Sequence, residues 1–143
     1  TELLLYAAGR AQHTQELILP ALEAGKFVIC ERYIHASIAY QGFGRGLDMG
    51  LINQLNFIAT SGLQPDMTIV LDIDVEEGLK RVKRSNREFD RLESENIEFH
   101  RKVREGYINM AAESDIMEIV ASSGNLEETN RQIIEQMKKR RLI

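Results

Sequence analysis

The stretch Met67-Thr68-Ile69-Val70-Leu71-Asp72-Ile73 constrains the fold more than any other part of this chain. It is apolar and rich in β-branched side chains, whose stiff χ1 suits a pleated strand better than a helix. Asp74-Val75-Glu76-Glu77 follows at once, a carboxylate with a glutamate three residues on, which predicts a capped helix over 75–84. An amphipathic helix at about 94–114, a short strand at Ile116–Val120 and a last helix at Leu126–Arg140 come next. Lys138, Lys139, Arg140 and Arg141 suit the negative end of that last helix. Strands that alternate with helices pair in parallel through right-handed crossovers. The fold class is therefore α/β, a parallel sheet with flanking helices.

The same reading extends upstream. Leu3, Tyr6, Ala7, Leu17, Ile18 and Leu22 recur at helical spacing, predicting one long helix that Pro20 kinks or divides and Gly25 stops. Phe27-Val28-Ile29-Cys30 predicts a short buried strand. The cluster Gly42–Gly46 predicts a flexible turn, because no strand directly precedes it and it fails the context of a dinucleotide fingerprint. A helix over about 48–61 follows, with Asp48 as N-cap and Gly62 as its end.

Composition narrows the classes. The chain has 143 residues, the size of one ordinary domain, with 43% hydrophobic and 28% charged residues. A net charge of −4 gives no general attraction to nucleic acid or anionic membrane. Cys30 is the single cysteine, so no internal disulfide or cysteine metal site can form, and a strand position predicts an inert buried thiol. No apolar run spans a bilayer and no leader pattern opens the chain, so a cytoplasmic protein is expected. Thr1-Glu2-Leu3-Leu4-Leu5 lacks an initiator Met and opens inside a helical pattern, which suggests a fragment.

Three segments carry candidate chemistry. Tyr6 and Arg10 are four apart and share a helix face, where a ring and a guanidinium can stack a base and bond its edge. Taken alone, the pair reads more simply as a core Tyr beside an exposed Arg. Glu31 and Arg32 follow the 27–30 run, the rim where ligands bind in open parallel sheets. A carboxylate and a forked donor there suit a metal and a phosphate, and equally a structural ion pair. Ser37, Tyr40 and Gln41 share one face if helical, as a polar edge for a base or sugar or as turn caps.

Lys80–Arg91 holds six Lys and Arg residues against Glu88 and Asp90. Such a segment can neutralise a phosphoryl group in transfer, although charge runs are more often solvated surface. Asp74 reads as a cap rather than a metal ligand, and Asp72 stays open. His13, His35 and His100 lack metal-ligand spacing. No G-x-x-x-x-G-K-[ST] loop is present.

The ordered set YAAGR, ERY, ASIAYQGFGRG, QPDMTIVLDID, a basic stretch with DRLE, and FHRKVREGY resembles the thymidylate kinases, most of all the bacterial branch. The resemblance covers the whole chain as the C-terminal two-thirds of a single nucleoside monophosphate kinase domain, with a lid at about 84–93. It implies the P-loop NTPase fold lacking its first strands and the P-loop. The implied reaction is transfer of the ATP γ-phosphoryl group to dTMP, with Mg²⁺ as cofactor, by a homodimer that binds neither nucleic acid nor membrane. It implies that Tyr6 stacks on thymine, Arg10 bonds its carbonyl, Ser37 and Gln41 lie near the base edge, and Tyr40 disfavours a ribose 2′-hydroxyl. Arg32 would bind the acceptor phosphate. Asp90, Arg91 and Glu93 fall on the lid motif, with Arg91, Arg87 or Arg84 as the clamping arginine. Glu31 stands where the family usually has Asp and would reach Mg²⁺ directly or through water. The expected full-length protein is the kinase and the chain alone is inactive. The alternatives are a deoxynucleoside kinase, which Glu31-Arg32 also suits, and a non-catalytic nucleotide-binding module.

Overall fold

The computed structural model describes residues 1–84, 90–122 and 124–143, in two compact units, Thr1–Gln64 and Pro65–Ile143.

The first unit is helical. Helix α1 (Glu2–His13) runs through a π-helical turn (Thr14–Ile18) into α2 (Leu19–Glu23). The division expected from Pro20 takes the form of that π-turn, because proline has no N–H to return to the carbonyl one turn back. Gly25 closes the run at φ +70°. Helix α3 (Ile34–Ser37) continues as a second π-helical stretch (Ile38–Gly44), and α4 (Met49–Thr60) follows. Asp48 caps α4 as expected, its Oδ1 accepting from the Leu51 N–H at 2.7 Å. Ser61 at φ 53° and Gly62 at φ 78° end it.

Two expectations fail in this unit. Phe27–Cys30 forms no strand, and Phe27 and Ile29 are 57% and 86% exposed. An extended segment becomes a strand only when a neighbour takes up its N–H and C=O groups. None does so among the described residues. Cys30 is accordingly only half-buried, and not the fully buried thiol expected. The glycine cluster is not a turn from its start either: Gly42 and Gly44 lie within the π-helical stretch, and the chain turns only at Arg45 and Gly46. A Cβ at Gly42 would stand 2.7 Å from the Met49 side chain, so glycine lets α4 begin close by.

The second unit carries the sheet. Strand β1 (Thr68–Asp72) pairs in parallel with β2 (Met117–Ala121), Thr68 opposite Met117 and Asp72 opposite Ala121. Helix α5 (Val75–Arg84) starts on the Asp74 carboxylate, which accepts from the Glu76 and Glu77 N–H groups. Helix α6 (Ile97–Ala112) starts on Asn96, later than the expected 94, because residues 91–94 form a separate turn. Helix α7 (Leu126–Lys139) starts on Asn125. Phe99 and Val103, one turn apart on α6, are buried, as are Met117 and Val120 of β2. Each such side chain contributes about 1.5–3 kcal/mol by leaving water.

Candidate functional site

Polar groups converge inside the first unit. Glu2, Tyr6 and Arg10 follow one another at i, i+4 and i+8 along one face of α1. Ser37 and Gln41 repeat the four-residue spacing across α3 and the π-helical stretch. Hydrogen bonds join the two faces at both ends. Arg10 Nη2 donates to Ser37 Oγ at 2.8 Å, and Gln41 Nε2 donates to Glu2 Oε1 at 2.7 Å. Tyr6 stands on α1 between these clasps and stays 43% exposed. Ser37 and Gln41 are 1% and 2% exposed, so each needed a partner, and each has one.

Arg10 is the hub. Besides Ser37, its guanidinium donates to the Tyr33 carbonyl at 3.2 Å and to Asn56 Oδ1 at 2.7 Å. Burial pulls its pKa below the ordinary value, with Tyr33 and then Cys30 acting the other way. The group remains a cation, since arginine does not deprotonate in proteins. Burial also pushes the Cys30 thiol up and holds the His35 imidazole below its ordinary value. Glu2 anchors the other end of α1, 3.5 Å from Arg45.

Arg32 has a backbone that arginine rarely adopts, φ 62°, a conformation costing on the order of 1–3 kcal/mol. Its guanidinium carbon lies 5.0 Å from the centre of the Tyr40 ring, within cation–π range. Glu31 beside it is exposed. Mg²⁺ usually takes one or two carboxylates and completes its shell with water and substrate phosphate. A single outward carboxylate fits that habit, and among the described residues there is no cluster of three potential ligands that would make a protein-only metal cage.

In the second unit Asp90, Arg91 and Glu93 lie in the turn before α6. Asp90 Oδ1 accepts from the Leu92 and Glu93 N–H groups, and Glu93 Oε2 accepts from the Asp90 N–H at 3.0 Å. The two acids thus hold the turn's shape, and Arg91 is carried outward on it, exposed. Arg84 is the last residue of α5, and Arg87 lies outside the described residues. Asp72, open on sequence, is engaged within the fold, where Arg104 Nε and Nη2 donate to its two oxygens at 2.7 and 2.8 Å. That bidentate contact holds the Asp72 carboxyl below its ordinary value. A cavity of about 330 Å³ opens beside it, lined by Asp74, Glu76, Arg101, Arg104 and Ile108 among others. Its guanidinium groups are already committed, Arg101 to Glu76 and Arg104 to Asp72.

Sequence reasoning missed Glu2, Arg45 and Asn56. Asn56 had a readable signal. It interrupts the buried stripe Ile52, Asn56, Ala59 of α4, where an amide must find internal partners.

Residues 1–133 match the thymidylate kinase family model. The thymidylate kinase of Nostoc punctiforme is 53% identical over 138 residues, covering 96% of this chain and 65% of the relative. That of Trichodesmium erythraeum is 53% identical over 133 residues, 93% of this chain and 59% of the relative. The chain therefore spans about two-thirds or less of these relatives' length. The crystal structure of thymidylate kinase from Ehrlichia chaffeensis superposes with a TM-score of 0.75 at 29% identity, over 96% of this chain and 63% of that one.

Proposed function

This chain belongs to the thymidylate kinase family, and from that premise we propose that the full-length protein transfers the ATP γ-phosphoryl group to dTMP, giving dTDP and ADP. The observation that carries the reading is the double clasp around Tyr6, Arg10–Ser37 and Glu2–Gln41. It presents an exposed aromatic ring beside a fixed cation, which suits a flat base bearing carbonyl oxygens. Tyr6 stacks on the base and Arg10 donates to its edge, with Ser37 and Gln41 shaping that edge. Tyr40, beside Arg32, disfavours a ribose 2′-hydroxyl. Arg32 grips the acceptor phosphate and aligns it for in-line attack.

Transfer needs no covalent intermediate with the protein; it rests on positioning and charge neutralisation. Arg91, carried outward on the Asp90–Glu93 turn, neutralises the transferring phosphoryl group, with Arg84 and Arg87 as the other lid cations. Glu31 is the carboxylate toward Mg²⁺, which supplies charge neutralisation at the phosphates when bound.

The acceptor phosphate separates this reading from a deoxynucleoside kinase. With ATP and Mg²⁺, the full-length protein forms ADP in the presence of dTMP and far more slowly with thymidine. Preference for thymidine would overturn the reading. Binding of dTMP without turnover would support a nucleotide-binding module instead.

The proposal includes a homodimer. Leu51 and Ile58, one i, i+7 stripe of α4, are 49% and 65% exposed, with Phe57 at 64% beside them. A second copy packed on that stripe would cover it, as the family resemblance implies. Sedimentation should show a dimer that Ile58→Glu dissociates; a monomer at micromolar concentration contradicts it.

A further inference from the structure

We infer that Asn56, buried in the middle of α4, is the positioning residue that aims Arg10 at the base, and so sets the preference for a 4-carbonyl pyrimidine over a 4-amino one. The inference rests on the acceptor site proposed above.

Asn56 is 5% exposed, and its amide is used on both sides. Oδ1 accepts from Arg10 Nη1 at 2.7 Å, and Nδ2 donates to the Ile34 carbonyl at 3.2 Å. The chemistry permits one orientation only. A guanidinium only donates and a carbonyl only accepts, so a flipped amide would set donor against donor and acceptor against acceptor. The side chain therefore ties α1, which carries Arg10, to the first residue of α3, which carries Ser37.

Arg10 has five N–H donors. Three are taken by Asn56, Tyr33 and Ser37. The remaining two, on Nε and Nη1, take no acceptor among the described residues. Both are donors, so a base carbonyl is welcome there and an amino group is not. Removing the Asn56 acceptor frees one more N–H and unlocks rotation of the head. It also leaves the Ile34 carbonyl without that partner, so some loss of stability accompanies the change.

The test is a cycle in the full-length protein. Asn56→Ala should raise KM for dTMP about tenfold, the scale of one hydrogen bond to a charged group. Turnover should change by less than about threefold, and the preference for dTMP over dCMP should fall by about the KM factor. Asn56→Asp keeps an acceptor toward Arg10 but sets an oxygen against the Ile34 carbonyl, so it should recover the base preference only in part. In an Arg10→Met background, Asn56→Ala should add less than about twofold. An unchanged KM and base preference in Asn56→Ala, or an equal loss with and without Arg10, overturns the inference, whatever the melting temperature. If Asn56→Ala does not fold, Asn56→Ser enters the same cycle. Should the unsubstituted protein fail to phosphorylate dTMP, the preceding reading falls first. The ligand-free ¹⁵N signals of the Arg10 head then decide this one: separate signals that merge in Asn56→Ala support positioning, and unchanged signals refute it.

Discussion

The two units place their polar groups differently. Among the described residues, five of the six buried polar ones, Thr14, Ser37, Gln41, Asn56 and Thr60, lie in Thr1–Gln64, and only Thr129 lies in Pro65–Ile143. The second unit uses its polar side chains at the surface, as helix caps at Asp74, Asn96 and Asn125 and as the pairs Arg104–Asp72 and Arg140–Glu118. Buried polar groups lower stability unless fully partnered, whereas caps and surface pairs raise it modestly. The proposed acceptor site draws on the buried polar groups of the first unit, whereas the caps and pairs of the second hold its own elements together. Apart from the lid cations Arg84, Arg87 and Arg91, substitutions in the second unit should therefore change stability alone, and those at the polar cluster of the first should change binding or catalysis.

The largest effect tests that division most harshly. Arg32→Ala should lower kcat/KM by about 10³-fold, because it removes both the phosphate contact and the alignment for attack. Its stability should fall by no more than about 1 kcal/mol, the scale of the exposed cation–π contact with Tyr40, since alanine meets the same strain at positive φ. A value within threefold of the unsubstituted protein would take Arg32 out of the site. Tyr6→Ala should raise KM for dTMP about tenfold with a smaller change in turnover, since stacking holds substrate before the reaction as well as during it. A fall in turnover alone would move Tyr6 from binding to chemistry.

The smallest effect belongs to the second unit. Asp72→Asn should cost about 1 kcal/mol of stability, the scale of a partly exposed ion pair, and leave steady-state kinetics unchanged. Its pH dependence carries a sign. Arg104 holds the folded Asp72 below its ordinary value of 3.8, so the folded state binds fewer protons there. The pair's stabilisation is complete above 3.8 and is lost as pH falls through the folded value. Asp72→Asn should flatten that acid limb. An unaltered acid limb, followed by circular dichroism from pH 5 to about 2, would deny the pair its role.

The sequence was most legible where the signal is local. Asp48 and Asp74 cap the helices they were expected to cap, and the β-branched run at 68–72 is a parallel strand. Legibility failed where an outcome depends on a distant neighbour. Phe27–Cys30 has the composition of a strand and no ladder to join among the described residues. Asp72 and Arg104 meet across 32 positions, and Arg10 and Asn56 across 46, which helix or strand periodicity does not reveal. The π-helical turns arise from proline and glycine inside helical patterns, where sequence announces a disturbance but not its form. The family resemblance marked Tyr6, Arg10, Ser37 and Gln41 as one set, and the clasp accounts for their spacing. Glu2 and Asn56 close the set from the protein side.

The most direct measurement is an NMR titration of the full-length protein with dTMP alone. The account predicts shifts concentrated at Tyr6, Arg10, Arg32, Ser37, Tyr40 and Asn56, with the caps at Asp74 and Asn125 unmoved. Shifts centred on the Asp74–Arg104 cavity, with the Arg10 network silent, would contradict it.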